Sequence, residues 1–382
     1  MKIINLSSIA NPISISVQNP SRSDYDRFIG LEHYDSGEPV ITRFQGTELL
    51  TTSAKVFKAN DILIARRNVY LKRAGIVFFD GITSGDSIIL RLKEDTQKTI
   101  GYSREDLIRY IPFMLNSEHF WIYANKHADG MNSKRISKDT LLEYEFELPS
   151  IDEMRDISDK LWAAYRLKEA YKKLLVTTDE MVKSQFIEMY YNTHNKQTLE
   201  SVCPIMSKGI TPKYVESSSV LVINQACIHW DGQRLGNIKY HNEEIPVRKR
   251  ILESGDVLLN ATGNGTLGRC CVFICPSDNN TYINDGHVIA LSTDRAVILP
   301  EVLNTYLSLN DTQAEIYRQY VTGSTNQVDI VFSDIKKMKV PVPSMDEQIL
   351  FVEVLKQADK SKFELKQCIE HIDKVIKSLI NG

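Results

Sequence analysis

Cysteine is absent from the first half of this sequence, because all six cysteines of the chain lie in the second half. A disulfide scaffold would be expected to place cysteines in both halves, so this distribution predicts free thiols and a cytoplasmic protein. No CxxC pair has a second pair that would complete a zinc site, which favours buried cysteines in strands. The six positions are Cys203, Cys227, Cys270, Cys271, Cys275 and Cys368.

Long apolar runs and a strong charge of one sign are also missing. No run approaches the roughly 18 residues of a membrane span. The first residues, Met1-Lys2-Ile3-Ile4-Asn5, are too polar and too few for a signal peptide. The net charge of −3 is not that of a histone-like binder. Any contact with nucleic acid must therefore come from local basic patches.

Signatures of common catalytic sites do not occur either. The sequence contains no Walker A, HExxH or GxSxG motif, and its eight histidines are scattered. Asn11-Pro12-Ile13-Ser14 lacks the aromatic residue with which an NPPY-like methyltransferase loop clamps a flipped base. We therefore predict that the chain is not an enzyme and binds no metal ion or cofactor itself.

One glycine-rich stretch, Gly263–Gly268, does match the GxGxxG pattern. A dinucleotide site needs a helix to begin after these glycines, so that its N-terminal amides hold the pyrophosphate. Residues 269–276 instead have the pattern of a strand that ends at a proline. The glycines are therefore predicted to form a tight loop between two strands, from which Thr262, Asn264 and Arg269 could reach base edges.

The chain contains one long segment twice. Leu148-Pro149-Ser150-Ile151-Asp152-Glu153 returns as Val342-Pro343-Ser344-Met345-Asp346-Glu347, at an offset of 343 − 149 = 194. The offset continues without a gap, so that Lys168 matches Lys362 and Asp179 matches Asp373. A repeat of this length indicates two copies of one unit, each a globular part that ends in a long helix.

Both long helices have apolar residues at alternating steps of three and four, which predicts a coiled-coil seam. Ser150 with Glu153 and Ser344 with Glu347 have capping-box spacing at the two helix starts. Neither helix is expected to be stable alone, so we predict an antiparallel pair with the globular parts at opposite ends and a pseudo-twofold axis. Aromatic residues off the seam could dock other subunits or pack against their own globular part; they include Trp162, Tyr165 and Phe363.

The two globular parts share a frame but differ in their loops. Asn60–Ile64 resembles Gly255–Leu259, whereas Arg66-Arg67-Asn68 stands where the second copy has Ala261-Thr262-Gly263. We align Ser87 with His287, and the polar loop at Gly130 with that at Gly323. A shared frame with divergent loops suits two modules that recognise different targets, although duplication followed by drift would also spare the cores.

These features resemble the specificity (S) subunits of type I restriction–modification systems. The resemblance rests on the duplicated Pro-Ser-x-Asp-Glu start, on Lys183-Ser184-Gln185-Phe186, on 323–327, and on 262–269 after an Asp-Val-Leu-Leu strand. It covers essentially the whole chain. Two departures stand out, because the loop Arg66–Arg73 lacks the glycines of 263–268 and the second helix lacks the Gln-Phe end at 379–380.

The resemblance implies an α+β fold with two similar target recognition domains, 1–147 and 192–341, and two long antiparallel spacer helices, 148–191 and 342–382. Each domain would recognise one half of a bipartite site on double-stranded DNA. The helices would set the spacer and recruit two methyltransferase (M) subunits, and through them the restriction/translocase (R) subunits. S-adenosylmethionine, ATP and Mg are expected on those partners, and no membrane is involved.

Basic and amide side chains of the divergent loops are the candidate DNA contacts. Lysines are predicted to hold phosphates, and Arg, Asn and Gln to contact bases; a solvated surface role is the alternative for each. The candidates for the first half-site are Arg66, Arg67, Asn68, Lys72, Arg73, Lys134 and Arg135. Those for the second are Lys208, Lys213, Asn260, Thr262, Asn264, Arg269, Asn326 and Gln327.

Three other functions stay open at this point. An S-like subunit of a methylation-only or other phage-defence complex would have the same sequence features. A coiled-coil adaptor whose globular parts bind protein belongs to a different class, and it would enrich no DNA sequence. A hidden enzyme would require activity from the isolated chain, and we expect none.

Overall fold

The computed structural model describes residues 2–131, 133–191, 193–324 and 327–381, without the side chains at 324 and 327. Its contacts divide the chain into two compact units. The first unit is Met1–Lys172 together with Leu365–Gly382, and the second unit is Lys173–Glu364. Each unit mixes helices and strands, as predicted.

The first unit contains two four-stranded sheets. One has only antiparallel neighbours, whereas the other ends in a parallel pair. The first sheet has the strand order Ala10–Ile13, Ser87–Leu92, Ile62–Ala65 and Ala74–Ile76. The second has the order Ser16–Val17, Ala54–Phe57, Gly81–Thr83 and Phe28–Ile29. A separate ladder pairs Lys2–Asn5 with Glu145–Leu148.

The second unit repeats this arrangement, again with one antiparallel sheet and one sheet that ends in a parallel pair. The first sheet has the order Ile205–Lys208, Val288–Ser292, Val257–Asn260 and Cys270–Val272. The second has the order Tyr214–Val215, Lys239–His241, Val220–Ile223 and Thr281–Asn284. Two-stranded ladders join Lys196–Thr198 with Lys339–Pro341, Ile228–His229 with Gly232–Gln233, and Val321–Ser324 with Gln327–Ile330.

The helices cover one face of the first sheet in each unit. In the first unit they are Thr96–Thr99, Arg104–Met114, Glu118–Lys126, Lys138–Leu142 and the start of Ile151–Phe186. In the second unit they are Leu199–Val202, Pro300–Ser308, Asn310–Gln319, Phe332–Ile335 and the start of Met345–Asn381. None of the helices in the described part of the chain is long and apolar enough to cross a membrane.

The strand Ile62–Ala65 is buried on both faces, which explains its uninterrupted apolar sequence. Ile62 and Ile64 pack with Leu107 of the helix layer, whereas Leu63 packs with Phe57 of the second sheet. The equivalent strand Val257–Asn260 has the same two-sided packing. Each unit is therefore built in three layers: helices, the first sheet and the second sheet.

A buried aspartate fixes the start of this central strand in both units. Asp61 accepts two hydrogen bonds from Arg91, at 2.7 and 2.6 Å, and Asp256 accepts two from Arg250, at 3.4 and 2.9 Å. The residue before each aspartate has a left-handed backbone, with φ of 69° at Asn60 and 96° at Gly255. Asparagine and glycine tolerate this conformation better than other residues, which accounts for the repeated Asn/Gly-Asp pattern.

Both predicted capping boxes are confirmed. Ser150 N donates to Glu153 Oε2 at 3.0 Å while Glu153 N donates to Ser150 Oγ at 3.4 Å. Ser344 and Glu347 form the same reciprocal pair, at 2.9 and 3.4 Å. The serine hydrogen bonds lower the pKa of both glutamates, because they stabilise the charged carboxylates.

Within each unit the two long helices run antiparallel. In the first unit Leu161 packs with Ile376, and Lys168 contacts Asp373, so numbers rise along one helix while they fall along the other. In the second unit Phe186 packs against Phe351 with ring centroids 5.1 Å apart. A π-helical turn, Ile187–Tyr191, follows the first long helix and brings Tyr190 onto the same ring.

The polar interruptions of the seam are two equivalent ion pairs. Lys168 Nζ lies 2.5 Å from Asp373 Oδ1 in the first unit, and Lys362 Nζ lies 2.9 Å from Asp179 Oδ1 in the second. Since 362 − 168 and 373 − 179 both equal 194, the second pair is the first with the helices exchanged. The repeat therefore preserves the register of the helix pair in both units.

Aromatic residues near the seam differ in their surroundings. Trp162 packs against Phe78 and Phe113, and its Nε1 donates to Arg109 O at 2.9 Å. Tyr165 packs edge-on against Trp162. Both residues therefore pack within the first unit rather than facing outward, whereas Phe363 in the second unit is 61% exposed.

The alignment of the two copies needs one correction. Ala65 lies opposite Ser87, and the equivalent Asn260 lies opposite Val288. Ser87 therefore corresponds to Val288, and His287 corresponds to Asp86, one position from the predicted match. The connections between the central strand and these positions differ in length, with 66–73 against 261–269 and 77–80 against 273–280, so only the strand register resolves the shift.

Candidate nucleic-acid interface

In the first unit, two segments distant in sequence form one loop pair. The loop after Ile62–Ala65 is joined to residues 134–136, because Asn68 N donates to Lys134 O at 2.7 Å and Ile136 N donates to Arg66 O at 3.0 Å. Asn68 and Lys72 both have positive φ, 55° and 50°, so the loop turns tightly on either side of a single helical turn. The two predicted basic loops are thus brought together.

Arg67 and Arg135 meet at one carboxylate. Asp86 Oδ2 lies 3.5 Å from Arg135 Nη2 and 3.9 Å from Arg67 Nη1. Arg67 Nε also donates to Ser133 Oγ at 2.9 Å. Both guanidinium groups are nearly half exposed, at 46% and 47%, so several of their N–H donors face solvent.

Positive charge extends beyond this pair. Burial lowers the pKa of Lys55, as do the positive charges of Arg66 and Lys138, while Asp86 opposes them. Arg66 is half-buried and its Nε has no hydrogen-bond partner among the described residues. It lines a cleft of about 550 Å³ together with Asp129, Gly130, Ser133, Arg135 and Ser137. This concentration of positive charge suits a phosphate-bearing ligand.

The other first-unit candidates fall into two groups. Lys72 and Lys134 are exposed. Arg73 instead points inward, where its guanidinium donates to Leu31 O and to Arg67 O, both at 3.0 Å. Arg73 therefore holds the backbone of the loop in this structure.

In the second unit the glycine-rich stretch forms a hairpin loop, as predicted. Strand Val257–Asn260 precedes it and the antiparallel strand Cys270–Val272 follows it, so no helix begins at these glycines. Gly263, Gly265 and Gly268 all have positive φ, which a side chain would oppose. The loop is therefore a strand connection, and the dinucleotide interpretation is excluded.

The predicted contacts of this loop differ in accessibility. Asn264 is exposed near its apex. Arg269 is half-buried and donates from Nη2 to Gly265 O at 2.9 Å, which braces the loop across its base. Thr262 shares a hydrogen bond of 2.9 Å with His287 Nδ1.

Asn260 cannot contact DNA from its observed position. Its side chain is fully buried and its amide donates to Gln225 O at 3.1 Å and to Thr266 O at 3.3 Å. The prediction was wrong because Asn260 is the last residue of the strand, not the first of the loop. Asn260 therefore supports the glycine-rich loop through its hydrogen bond to the backbone of Thr266.

The second unit repeats the loop pair with different chemistry. Ile330 N donates to Ala261 O at 2.8 Å. Thr262 forms an isolated antiparallel β-bridge with Asp329, as Arg67 does with Arg135 in the first unit. Thr262, His287 and Asp329 thus occupy the positions of Arg67, Asp86 and Arg135. Lys208, one of the predicted DNA contacts, is bound to Asp329 through both carboxylate oxygens, at 2.9 and 2.8 Å.

The remaining second-unit candidates are less fully described. Lys213 is exposed, and its backbone N–H donates to His241 Nδ1 at 2.9 Å. Gln327 begins the strand Gln327–Ile330, but its side chain lies outside the described part of the structure. Asn326 lies outside the described residues altogether.

Three residues of the loop pairs are not among the predicted DNA contacts. Asp86, His287 and Asp329 carry carboxylate or imidazole side chains, whereas the predicted contacts are chiefly basic and amide side chains. Asp86 could have been found from the strand pattern, since it directly precedes the apolar run Ser87–Leu92. Its two arginine partners are distant in sequence, and only the fold brings them together.

The cysteines are free thiols, mostly inside the second unit. Burial raises the pKa of Cys203 and Cys271 to about 12, so these thiols stay neutral. Cys368 is the exposed one. Within the described residues, no group of three or more His, Cys, Asp or Glu side chains is placed to hold a metal ion.

Comparisons with known proteins bear on both units. Residues 195–373 match the family model described as the type I restriction modification DNA specificity domain. A search of curated proteins finds no match. A solved chain from a study of complex assembly and conformational transition of the type I R-M system is 15% identical, with a TM-score of 0.58. The alignment covers 99% of this chain and 96% of that one, so the two share a fold over nearly their full lengths.

Two further solved chains align over nearly the same extent. The HsdS subunit from Thermoanaerobacter tengcongensis is 16% identical, with a TM-score of 0.41 and coverage of 99% of this chain and 95% of that one. The type I restriction–modification S subunit from M. genitalium is 15% identical, with a TM-score of 0.47 and coverage of 100% and 96%. Residues 195–373 of this chain thus match the type I restriction modification DNA specificity domain, and the chain as a whole shares its fold with a solved chain from the type I R-M system.

Proposed function

We propose that the chain is the DNA sequence-specificity subunit of a type I restriction–modification complex, and that each unit contacts one part of a bipartite site. The observation that carries the proposal is the equivalent loop pair of the two units. One frame presents Arg67 and Arg135 in the first unit and Thr262 and Asp329 in the second. A constant frame with different polar side chains at equivalent positions is the expected design for two different sequences.

The chemistry of the loops supports this division. Arginine can donate two hydrogen bonds to guanine, and asparagine can pair with adenine, in the major groove. Arg66, Arg67 and Arg135 would serve the first half-site, with the exposed Lys72 and Lys134 on phosphates. Asn264 and Thr262 would contact bases in the second half-site, and the exposed Lys213 a phosphate. The partly described Gln327 and the undescribed Asn326 belong to the same proposal.

The proposal includes partners and the absence of catalysis. The chain would recognise DNA without catalysing a reaction, in the cytoplasm, while two M subunits and the R subunits bind it. S-adenosylmethionine, ATP and Mg would then act on those partners. The helix pair, with its exposed apolar residues such as Phe363, supports a role in recruiting them.

A substitution in the first loop tests the proposal. Replacing Arg66 and Arg67 with alanine should weaken protection of the first half-site about tenfold or more, because two charged donors are lost. Asn264→Ala is the matched control, since it should affect only the second half-site. Footprints of the complex purified through a tag on this chain measure both effects.

Methylome sequencing of cells with and without the subunit gives an independent test. Loss of one two-part methylated motif is the expected result. A methylation-only complex would lose the same motif without restricting phage, whereas a protein-binding adaptor would change no motif.

In the footprinting experiment, unchanged footprints of the Arg66 and Arg67 variant would contradict the assignment of this loop to the first half-site.

A further inference from the structure

Two arginines in the first unit share a single carboxylate. Asp86 Oδ2 is within 4 Å of Arg67 and of Arg135, at 3.9 and 3.5 Å, and neither contact is a tight ion pair. Two positive charges therefore face one negative charge, and the trio keeps a positive excess. Because all three side chains are partly exposed, the remaining guanidinium N–H groups can bind a ligand.

Both members of the Arg67–Asp86 contact are positioned by other groups. Arg67 Nε donates to Ser133 Oγ at 2.9 Å, and Ser133 Oγ donates to Asn68 Oδ1 at 3.2 Å. The backbone of Asp86 is fixed as well, because its carbonyl accepts from Arg66 N at 2.9 Å. The guanidinium of Arg67 is thus oriented before any ligand arrives, which reduces the entropy lost on binding.

The second unit shows that this carboxylate is not part of the shared frame. His287 occupies the position of Asp86, and it shares a hydrogen bond with the hydroxyl of Thr262. The strand pairing around it is unchanged, since Asn260 lies opposite Val288 as Ala65 lies opposite Ser87. The fold therefore does not need an acid here, and Asp86 serves the surface of the first unit.

We infer that Asp86 is a specificity-determining positioning residue, which holds Arg67 so that the first unit requires a guanine at one fixed position of its half-site. This inference rests on the proposed function. The planar fork of a guanidinium pairs with guanine O6 and N7. The hydrogen bond to Ser133 and the negative charge of Asp86, 3.9 Å away, set the direction in which the fork of Arg67 points. The same carboxylate repels phosphates, so it limits binding of the two arginines to DNA of any sequence.

Two substitutions test this inference in the full chain, purified as its complex and used to select from randomised duplex DNA. Asp86→Asn should lower discrimination at one G·C position of the first half-site about tenfold or more. It should also tighten binding to random DNA and steepen the logarithmic salt dependence by about one, because the negative charge that repels a phosphate from the two arginines is removed. Arg67→Lys keeps the charge, so it should lose the same discrimination without steepening the salt dependence.

The control is His287→Asn, the equivalent substitution in the second unit, which should leave selectivity in the first half-site unchanged. If the wild-type complex enriches no sequence, the proposed function itself is overturned. If the wild type enriches a two-part sequence and Asp86→Asn enriches it with equal selectivity, the positioning role alone is overturned. Should Asp86→Asn fail to fold, Asp86→His, which introduces the residue of the equivalent position in the second unit, takes its place in the same selection.

Discussion

Single residues divide into those that maintain the frame and those that vary on it. Asp61 and Asp256 are both buried and both bound to an arginine, and they start the same strand in the two units. Six residues later the side chains of the two units differ, at Arg67 and Thr262. Stability and recognition are thus assigned to different positions of one short segment.

Removing the buried charge should weaken the first unit. In Asp61→Asn the two hydrogen bonds to Arg91 lose their ionic character, and we expect the free energy of unfolding to fall by about 2 kcal/mol. Hydrogen exchange in the strand Ile62–Ala65 measures this loss. Asp256→Asn is the matched control, which should affect exchange in Val257–Asn260. Equal protection in both variants and the wild type would contradict a stabilising role for these pairs.

Glu38 should make the first unit sensitive to acid. Burial opposes its ionisation, but Lys168 and Lys172 outweigh burial and lower the pKa below the ordinary value of 4.5. A lowered pKa in the folded state gives stability that is present above about pH 4.5 and lost as the pH falls. Glu38→Gln should therefore lower the thermal unfolding midpoint at pH 7. Between pH 5 and about 3 the midpoint of this variant should fall less than that of the wild type. An unchanged pH profile in Glu38→Gln would refute this assignment.

The sequence did not predict the surroundings of residues whose hydrogen-bond partners lie far away along the chain. Asn260 was predicted on the surface, yet Gln225 binds it from another segment. Arg73 has a basic side chain in a basic loop, but Leu31 O turns it inward. Residue type and local pattern predict that such a side chain is polar and close to a loop. They do not indicate which backbone carbonyls the fold brings within reach.

At the scale of elements, local signals were sufficient. Capping-box spacing predicted where both long helices begin, and a proline-terminated apolar run predicted the hairpin at Gly263–Gly268. These signals act over a few residues, so they can be recognised without knowledge of distant contacts. The expected match of Ser87 with His287 failed because two earlier connections, 66–73 and 77–80, are shorter than their equivalents 261–269 and 273–280.

The two ion pairs of the helix seam should contribute unequally. Lys168 is nearly buried and also contacts Glu38, whereas Asp179, the partner of Lys362, is largely exposed. A double-mutant cycle of Lys168→Ala and Asp373→Ala should give a coupling of about 1–3 kcal/mol. The equivalent cycle of Lys362→Ala and Asp179→Ala should give less than about 1 kcal/mol, because solvent screens the exposed carboxylate. Chemical denaturation measures both cycles, and a larger coupling in the second would contradict this order.

At the scale of the whole molecule, each unit depends on both long helices. The first unit includes residues 365–382, which follow the entire second unit in sequence. Ile376 joins the core with Leu161 and Phe113, and Asn381 Oδ1 accepts from Glu118 N at 2.8 Å. Because the first unit consists of two segments that flank the second unit in sequence, cleavage of the chain at one position cannot separate the two units.

Truncation should therefore damage the unit that is distant in sequence. Removal of residues 365–382 takes away the contacts of Leu161 and Lys168, so the first unit should lose hydrogen-exchange protection along 151–172. The strands of the second unit, such as Val257–Asn260, should keep theirs. Loss of protection confined to the second unit would contradict the division of the chain into these two units.

The same division sets an order of events during synthesis. The ribosome completes the second unit first, because all of its residues have been made before residue 365. The first unit, although its sheets are translated earliest, must wait for residues 365–382 to bury Leu161 and pair Lys168. A nascent chain therefore displays an unfinished apolar helix face throughout the translation of the second unit, and this interval is when chaperones would have to shield it.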